Sequence, residues 1–264
     1  MGDKILSIIV LSWNRLRYSK QTIENLIKKT TVPHEFILVD NNSSELGLKE
    51  YLLSVKGNKN TIRVERVFNS KNLGVGGGRN SGLIKAKGDY LMTIDDDVLV
   101  PDNYDKQLIE VCDKIPKLGI TGVNVEPTKY HKVTINKIIC CPKNGNLGGA
   151  CLCMPRRVFN VVGFYNCFNL YGMEDCGMYY RLAKIGLSSI YIVSRGIHLD
   201  KDQDKEYRKE KDKAQTKGSI QMGQLSKYLA EMRQTGNVYV SYDPNYIPVD
   251  EKIFTNELIL QGKK

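Results

Sequence analysis

Apolar, β-branched runs recur through the first half of the chain at residues 5–11, 36–39, 62–67, 90–94 and 120–125. Each has the length of a strand buried on both faces, roughly four to eight residues. Between them, residues 18–29, 76–87 and 104–114 space their apolar side chains as helices do, and Pro101-Asp102 reads as the entry to the third. Strands alternating with helices predict a mostly parallel sheet covered by helices, so the first ~125 residues read as a doubly wound α/β unit. A less regular stretch follows, with Pro127, Pro142 and a glycine-rich segment at 144–149. Beyond it the pattern predicts another apolar strand, a helix over 175–184 and a strand over 190–193.

The tail has a different texture. Residues 201–217 hold seven basic and five acidic side chains and almost nothing apolar, which predicts a solvated helix or linker. Residues 220–232 carry an amphipathic helical pattern, and Tyr239, Tyr242 and Tyr246 lie in an arm with two prolines. The organisation expected is therefore a main domain over 1–200 and a C-terminal extension over 201–264.

Composition supports a folded chain: of 264 residues, 41% are hydrophobic and 26% charged, near globular averages. The formal net charge of +10 suggests an anionic partner, such as a nucleotide, nucleic acid, polyanionic glycan or acidic lipid surface. No apolar run reaches the ~20 residues needed to span a bilayer. The N-terminus lacks the basic flank and long apolar stretch of a signal peptide, so a cytoplasmic location is expected, with peripheral membrane attachment left open. Seven cysteines in a chain able to bury its own core argue for reduced thiols. The spacing of Cys140, Cys141, Cys151 and Cys153 matches no zinc pattern, and Cys151 and Cys153 alternate as same-face strand residues do.

In a doubly wound sheet, ligands bind beyond the carboxyl ends of the strands. Those positions are polar here: Ser12-Trp13-Asn14-Arg15 after the first run, Asp40-Asn41-Asn42-Ser43 after the second, and Asp95-Asp96-Asp97 after the fourth. One such end could be an Asx turn, and three together point to a pocket. Three adjacent carboxylates repel one another unless a hard divalent cation sits among them; an exposed acidic turn ahead of a helix is the alternative. The stretch NSKNLGVGGGRN (69–80) offers glycines for close approach of backbone to a ligand and Arg79 as a fork of donors for phosphate, or else forms a flexible surface loop. It has neither the dinucleotide-binding spacing nor the P-loop GK[ST].

The ordered set resembles the family 2 glycosyltransferases of the GT-A fold, a Rossmann-like, mostly parallel sheet flanked by helices. The likeness runs through SWNR (12–15), VDNNSS (39–44), NLGVGGGRNSGL (72–83), GDYLMTIDDD (88–97) with its DxD motif, GGACLCMPRRVFNVVGFY (148–165), YGMEDCGMYYRLAKIGL (171–187) and His198. It departs at Leu11, where the family often has proline, and at Tyr165-Asn166, where it often has an acidic pair. The resemblance implies a metal-dependent, inverting transfer from a nucleotide-sugar donor, a UDP-sugar first among candidates. It implies nucleotide contacts from Ser12, Trp13, Asn14, Arg15, Asp40, Asn42, Gly74, Arg79, Asp95 and Asp96, with Trp13 packing on the base and Asp40 accepting a base hydrogen bond. Asp95, Asp97 and His198 would hold Mn²⁺ or Mg²⁺, Asp175 would be the general base, and Glu174 would lie near the acceptor. The acceptor is left open among a glycan, a lipid-linked saccharide, a protein and a modified nucleic acid, as is a homodimer. A nucleotidyltransferase and a nucleic-acid-binding protein with a vestigial pocket are the competing readings. Against the first, LSWNRLRY has no glycine; against the second, the lysines are scattered and not interleaved with aromatics.

Overall fold

The computed structural model describes residues 4–143, 146–165, 167, 174–200, 205, 208 and 209. The candidate amphipathic helix and tyrosine arm of the extension lie outside them. Among the described residues eleven strands and six helices follow one another as β1 (Leu6–Ser12), α1 (Leu16–Lys29), β2 (His34–Asp40), α2 (Leu48–Ser54), β3 (Thr61–Phe68), α3 (Gly74–Leu83), β4 (Tyr90–Asp95) and β5 (Val98–Leu99). Then come α4 (Tyr104–Lys114), β6 (Leu118–Asn124), β7 (Val133–Ile135), β8 (Ile138–Pro142), β9 (Cys151–Pro155), α5 (Arg156–Val162), α6 (Glu174–Lys184), β10 (Ser188–Arg195) and β11 (Ile197–His198).

Nine strands form one sheet in the order β3-β2-β1-β4-β9-β6-β10-β8-β7. The pairs β2/β3, β1/β2, β1/β4 and β6/β10 are parallel, while β9 runs against both its neighbours and β8 against both of its own. The predicted mostly parallel sheet is thus present, with reversed strands at two places. Every residue of β1 and β2 is buried, because helices cover both faces. Leu6, Ile8 and Val10 pack with α1, α2 and α4, through residues such as Ile23, Leu52 and Leu108. Ile9 and Leu11 turn to the other side, toward Leu83 of α3, Phe159 of α5 and Leu182 of α6.

The glycine-rich stretch becomes a buried helix, α3, and not a surface loop. Gly78 and Gly82, four apart, share the face against the sheet: a Cβ on Gly78 would come 2.4 Å from Leu11 Cδ1, and one on Gly82 would come 2.4 Å from Ile9 Cγ2. Their lack of a side chain lets helix and sheet approach, which is a packing role and not a ligand-binding one. The cysteines are free thiols, and Cys151 and Cys153 are buried on one face as their spacing predicted. Among the described residues no helix is long and apolar enough to cross a membrane.

Candidate active site

Parallel register brings the polar strand ends level with one another. Ser12 pairs with Asp40, and Leu11 with both Val39 and Asp95, so β1, β2 and β4 finish along one edge of the sheet. Two of the loops that follow interlock. Asn14, in the left-handed region at φ 50°, accepts hydrogen bonds at Oδ1 from the Ser44 amide (2.7 Å) and the Glu45 amide (3.2 Å). Asp40 accepts the Ser43 amide, three residues on, at 2.9 Å, which folds the polar strand end back on itself. Asn41 anchors the next segment, accepting the Leu73 amide and donating to the carbonyl of Gly74. Asn14 is therefore engaged in loop structure and Gly74 in the start of α3, Asn42 is exposed at φ 64°, and Trp13 is half-buried.

The three adjacent carboxylates at the end of β4 have separate fates. Asp96 turns into the protein, where Oδ2 accepts the Ser19 hydroxyl at 3.0 Å and Oδ1 pairs with Arg15. Burial pushes its carboxyl up to about 6, against the pull of Arg15. Asp97 accepts Arg15 Nη1 at 3.0 Å and faces His198 Nε2 at 3.1 Å, both through Oδ2. The small sheet of β5 and β11 puts the histidine there: His198 pairs with Val98, and the Leu199 amide donates to the Asp97 carbonyl at 2.7 Å. Burial alone would raise the Asp97 carboxyl, yet His198 and Arg15 outweigh it and hold it below the usual range. The same contact with Asp97 raises the His198 imidazole. Arg15 also reaches Asp200 Oδ2 at 2.9 Å, so one guanidinium serves three carboxylates.

Asp97 keeps its second oxygen, Oδ1, buried and without a hydrogen-bond partner. An ionised oxygen left in that state is costly, and a hard cation is one way to satisfy it. With the neighbouring imidazole it offers two ligands of types that Mn²⁺ accepts. Among the described residues no group of three or more His, Cys, Asp and Glu side chains is arranged to hold an ion, so an ion at Asp97 would need further ligands from elsewhere.

Arg79 joins this edge to α6. It is 1% exposed, and its Nη2 donates to Asp95 Oδ1 at 2.5 Å and to the Gly149 carbonyl at 2.9 Å. Its Nη1 donates to Glu174 Oε1 at 3.0 Å. Burial would depress the guanidinium, but the two carboxylates reverse the effect and keep it charged. Asp175, the next residue along α6, is half-buried: a Cβ on Gly149 would lie 3.2 Å from Arg79 Nη1 and 3.5 Å from Asp175 Oδ2. Asp175 also lines a small cavity with Asn146, Leu147, Leu152, Tyr165 and Tyr179.

The structure therefore brings together two groups of the expected residues: Arg15, Asp96, Asp97 and His198 in one, and Arg79, Asp95 and Glu174 in the other, with Asp175 beside it. Asp200, Asn41 and Gly149 also build the site and were not singled out from sequence. Asn41 stood inside a recognised polar strand end, and Gly149 closes a recognised glycine-rich segment. Asp200 carries no local signal, since only the β5/β11 pairing brings the chain after His198 back to Arg15.

Residues 7–157 match the model of the family described as glycosyl transferase family 2. An uncharacterized glycosyltransferase of Haemophilus influenzae is 27% identical over 174 residues, which cover 60% of this chain and 55% of that protein. TuaG of Bacillus subtilis, a glycosyltransferase assigned to teichuronic acid biosynthesis, is 24% identical over 211 residues, covering 70% and 82% of the two chains. Among solved structures, the mannosyltransferase PcManGT from Pyrobaculum calidifontis, in complex with GDP-Man and Mn²⁺, superposes with a TM-score of 0.60 at 14% identity. The match covers 77% of this chain and 59% of that one. GalNAc-T7 with UDP, GalNAc and Mn²⁺ gives a TM-score of 0.58 at 19% identity, over 75% and 44% of the two chains. These likenesses are of fold, the GT-A fold. The chain spans between 37% and 55% of the length of the first curated relatives it matches.

Proposed function

This chain belongs to glycosyl transferase family 2, and from that premise we propose that it moves a sugar from a nucleotide-sugar donor to an acceptor hydroxyl, with inversion at the anomeric carbon. The observation that carries the reading is a shared edge. Asp97, with a buried unpartnered oxygen beside His198, stands two residues from Asp95, and Asp95 is tied through Arg79 to Glu174 at the start of α6. A candidate cation site and a candidate base are thus on elements that Arg79 bridges.

In this reading Asp97 and His198, with Asp95 nearby, would hold Mn²⁺ or Mg²⁺. When bound, the ion supplies positive charge to the leaving diphosphate. Asp40 accepts a hydrogen bond from the base and Trp13 packs on it. Asp175 takes the proton from the acceptor hydroxyl, whose oxygen attacks the anomeric carbon opposite the diphosphate. The carbon–oxygen bond to the diphosphate breaks, and its electron pair leaves with the diphosphate. A UDP-sugar is the first donor to test, because UDP accompanies Mn²⁺ in the GalNAc-T7 structure. The GDP-Man complex of PcManGT makes a GDP-sugar the second.

Calorimetry of UDP in the presence and absence of Mn²⁺ tests the cation assignment. The wild type is expected to bind UDP with Mn²⁺ and at least about tenfold more weakly without it, and Asp97→Asn to lose that dependence. Because Asp97 is buried and paired with Arg15 and His198, circular dichroism of the variant accompanies the titration. Unchanged Mn²⁺·UDP affinity in a folded Asp97→Asn protein overturns the assignment.

A further inference from the structure

Arg79 has every mark of a side chain used inside the protein. It sits in the middle of α3, is 1% exposed, and is the first among the largest fully buried side chains. Both hydrogens of Nη2 are taken, by Asp95 and by the Gly149 carbonyl, and Nη1 is taken by Glu174. Its remaining nitrogen, Nε, is buried and has no partner. The Tyr165 ring lies 5.4 Å from the guanidinium. That ring is itself fixed: its hydroxyl is 2.9 Å from Thr93 Oγ1 on β4, and its backbone amide and carbonyl both bond the side chain of Asn80, the residue after Arg79. A guanidinium held on so many sides is preorganised for the two carboxylates it meets.

We propose that Arg79 is a positioning residue that couples the donor and acceptor halves of the site, and that it is not a ligand of the donor's diphosphate; this rests on the glycosyl-transfer reading above. Asp95 ends β4 two residues before Asp97, and Glu174 precedes Asp175 on α6. One planar fork fixes both acids, so a shift of Asp95 on donor binding is felt at Glu174 and at the turn of α6 that carries the base. Glu174 contributes Oε1 to the fork and keeps Oε2 buried without a partner, an acceptor that an incoming hydroxyl can satisfy.

Arg79→Lys separates the two roles, because one ammonium cannot present two parallel donors to two acids. Affinities for Mn²⁺·UDP and Mn²⁺·UMP are measured by calorimetry, and turnover as UDP release from UDP-glucose, UDP-galactose and UDP-GlcNAc. The UDP-to-UMP affinity ratio is expected to stay within about twofold of wild type, as it must if Arg79 makes no contact with the β-phosphate. Turnover is expected to fall by about 100-fold, the scale of a small misplacement of reacting groups. A ratio that collapses toward unity, or turnover that stays near wild type in a folded variant, overturns the proposal. Should Arg79→Lys fail to fold, the cycle Asp95→Asn, Glu174→Gln and their double variant decides: effects on turnover that depart from additivity by about tenfold support the coupling, and additivity within about twofold overturns it. A wild-type chain that binds neither UDP nor GDP in a Mn²⁺-dependent way overturns the glycosyl-transfer reading and this proposal with it, whereas binding of GDP alone moves the same measurements to GMP, GDP and GDP-mannose, and the other outcomes bear on the coupling alone.

Discussion

Asp175 stands between two settings: it lines an apolar cavity with Leu147 and Tyr165, and it lies next to a guanidinium already shared by two other acids. A base that acts only as the acceptor proton moves should matter to turnover and little to ground-state binding. Asp175→Asn is therefore expected to cut turnover by about 10² to 10⁴-fold with Mn²⁺·UDP affinity unchanged. Steady-state rates alongside calorimetry check this, and turnover near wild type sinks the role. At this scale the sequence was informative wherever a residue stood directly after an apolar run, as Ser12, Asp40 and Asp95 do. It was silent about pairing. Nothing local says that Arg15 serves Asp96, Asp97 and Asp200, or that Asp96 turns inward to Ser19 while Asp97 beside it turns to His198.

Among the elements, α3 shows composition and environment in opposition. Its interior glycines oppose helix formation, and Gly82→Ala on its own would favour the helix by about 1 kcal/mol. Yet a Cβ there would meet Ile9 Cγ2 at 2.4 Å and Val39 Cγ2 at 3.0 Å, side chains held in fully paired strands. Overpacking of that kind costs about 1 to 3 kcal/mol, so the clash should win, with a lower urea midpoint for Gly82→Ala. A raised midpoint would mean that helix and sheet can separate at little cost. The helical spacing of Gly78 and Gly82 was visible in the sequence, but glycine alone does not say whether a ligand or a sheet makes the approach. The hairpin β7–β8 was also readable in principle: a two-residue turn, Asn136-Lys137, joins two short alternating runs, and both residues have positive φ. Lysine at the second position, where glycine is usual, hid it. Strand β9 was legible as an apolar run, but a strand buried on both faces carries no mark of its direction.

Across the whole molecule, the two edges of the sheet divide the work. Opposite the site, Glu35 is 2% exposed and joins four stretches of chain: it accepts Ser7 Oγ on β1 at 2.6 Å, Arg63 Nε on β3 at 2.8 Å, and the amides of Lys87 (2.5 Å) and Gly88 (3.1 Å) ahead of β4. Burial works to raise its carboxyl, but these donors prevail and hold it below the usual carboxylate range. A carboxyl depressed in the folded state adds stability above its unfolded pKa, about 4.3, and loses it as pH falls through the folded value. Wild type should thus exceed Glu35→Gln by about 2 kcal/mol near neutrality, and the difference should shrink as urea titrations move toward pH 3. A difference constant with pH would sink the assignment. Strand β9 ties the two edges together in another way. Running backward, it presents its first residue, and not its last, to the site edge, where the Ala150 carbonyl accepts the Asp95 amide at 2.9 Å. The chain just ahead of β9 therefore reaches the candidate site already anchored by the sheet. If the proposed function holds, lengthening or exchanging that entry would change what meets the acceptor and leave the ends of β1, β2 and β4 as they are.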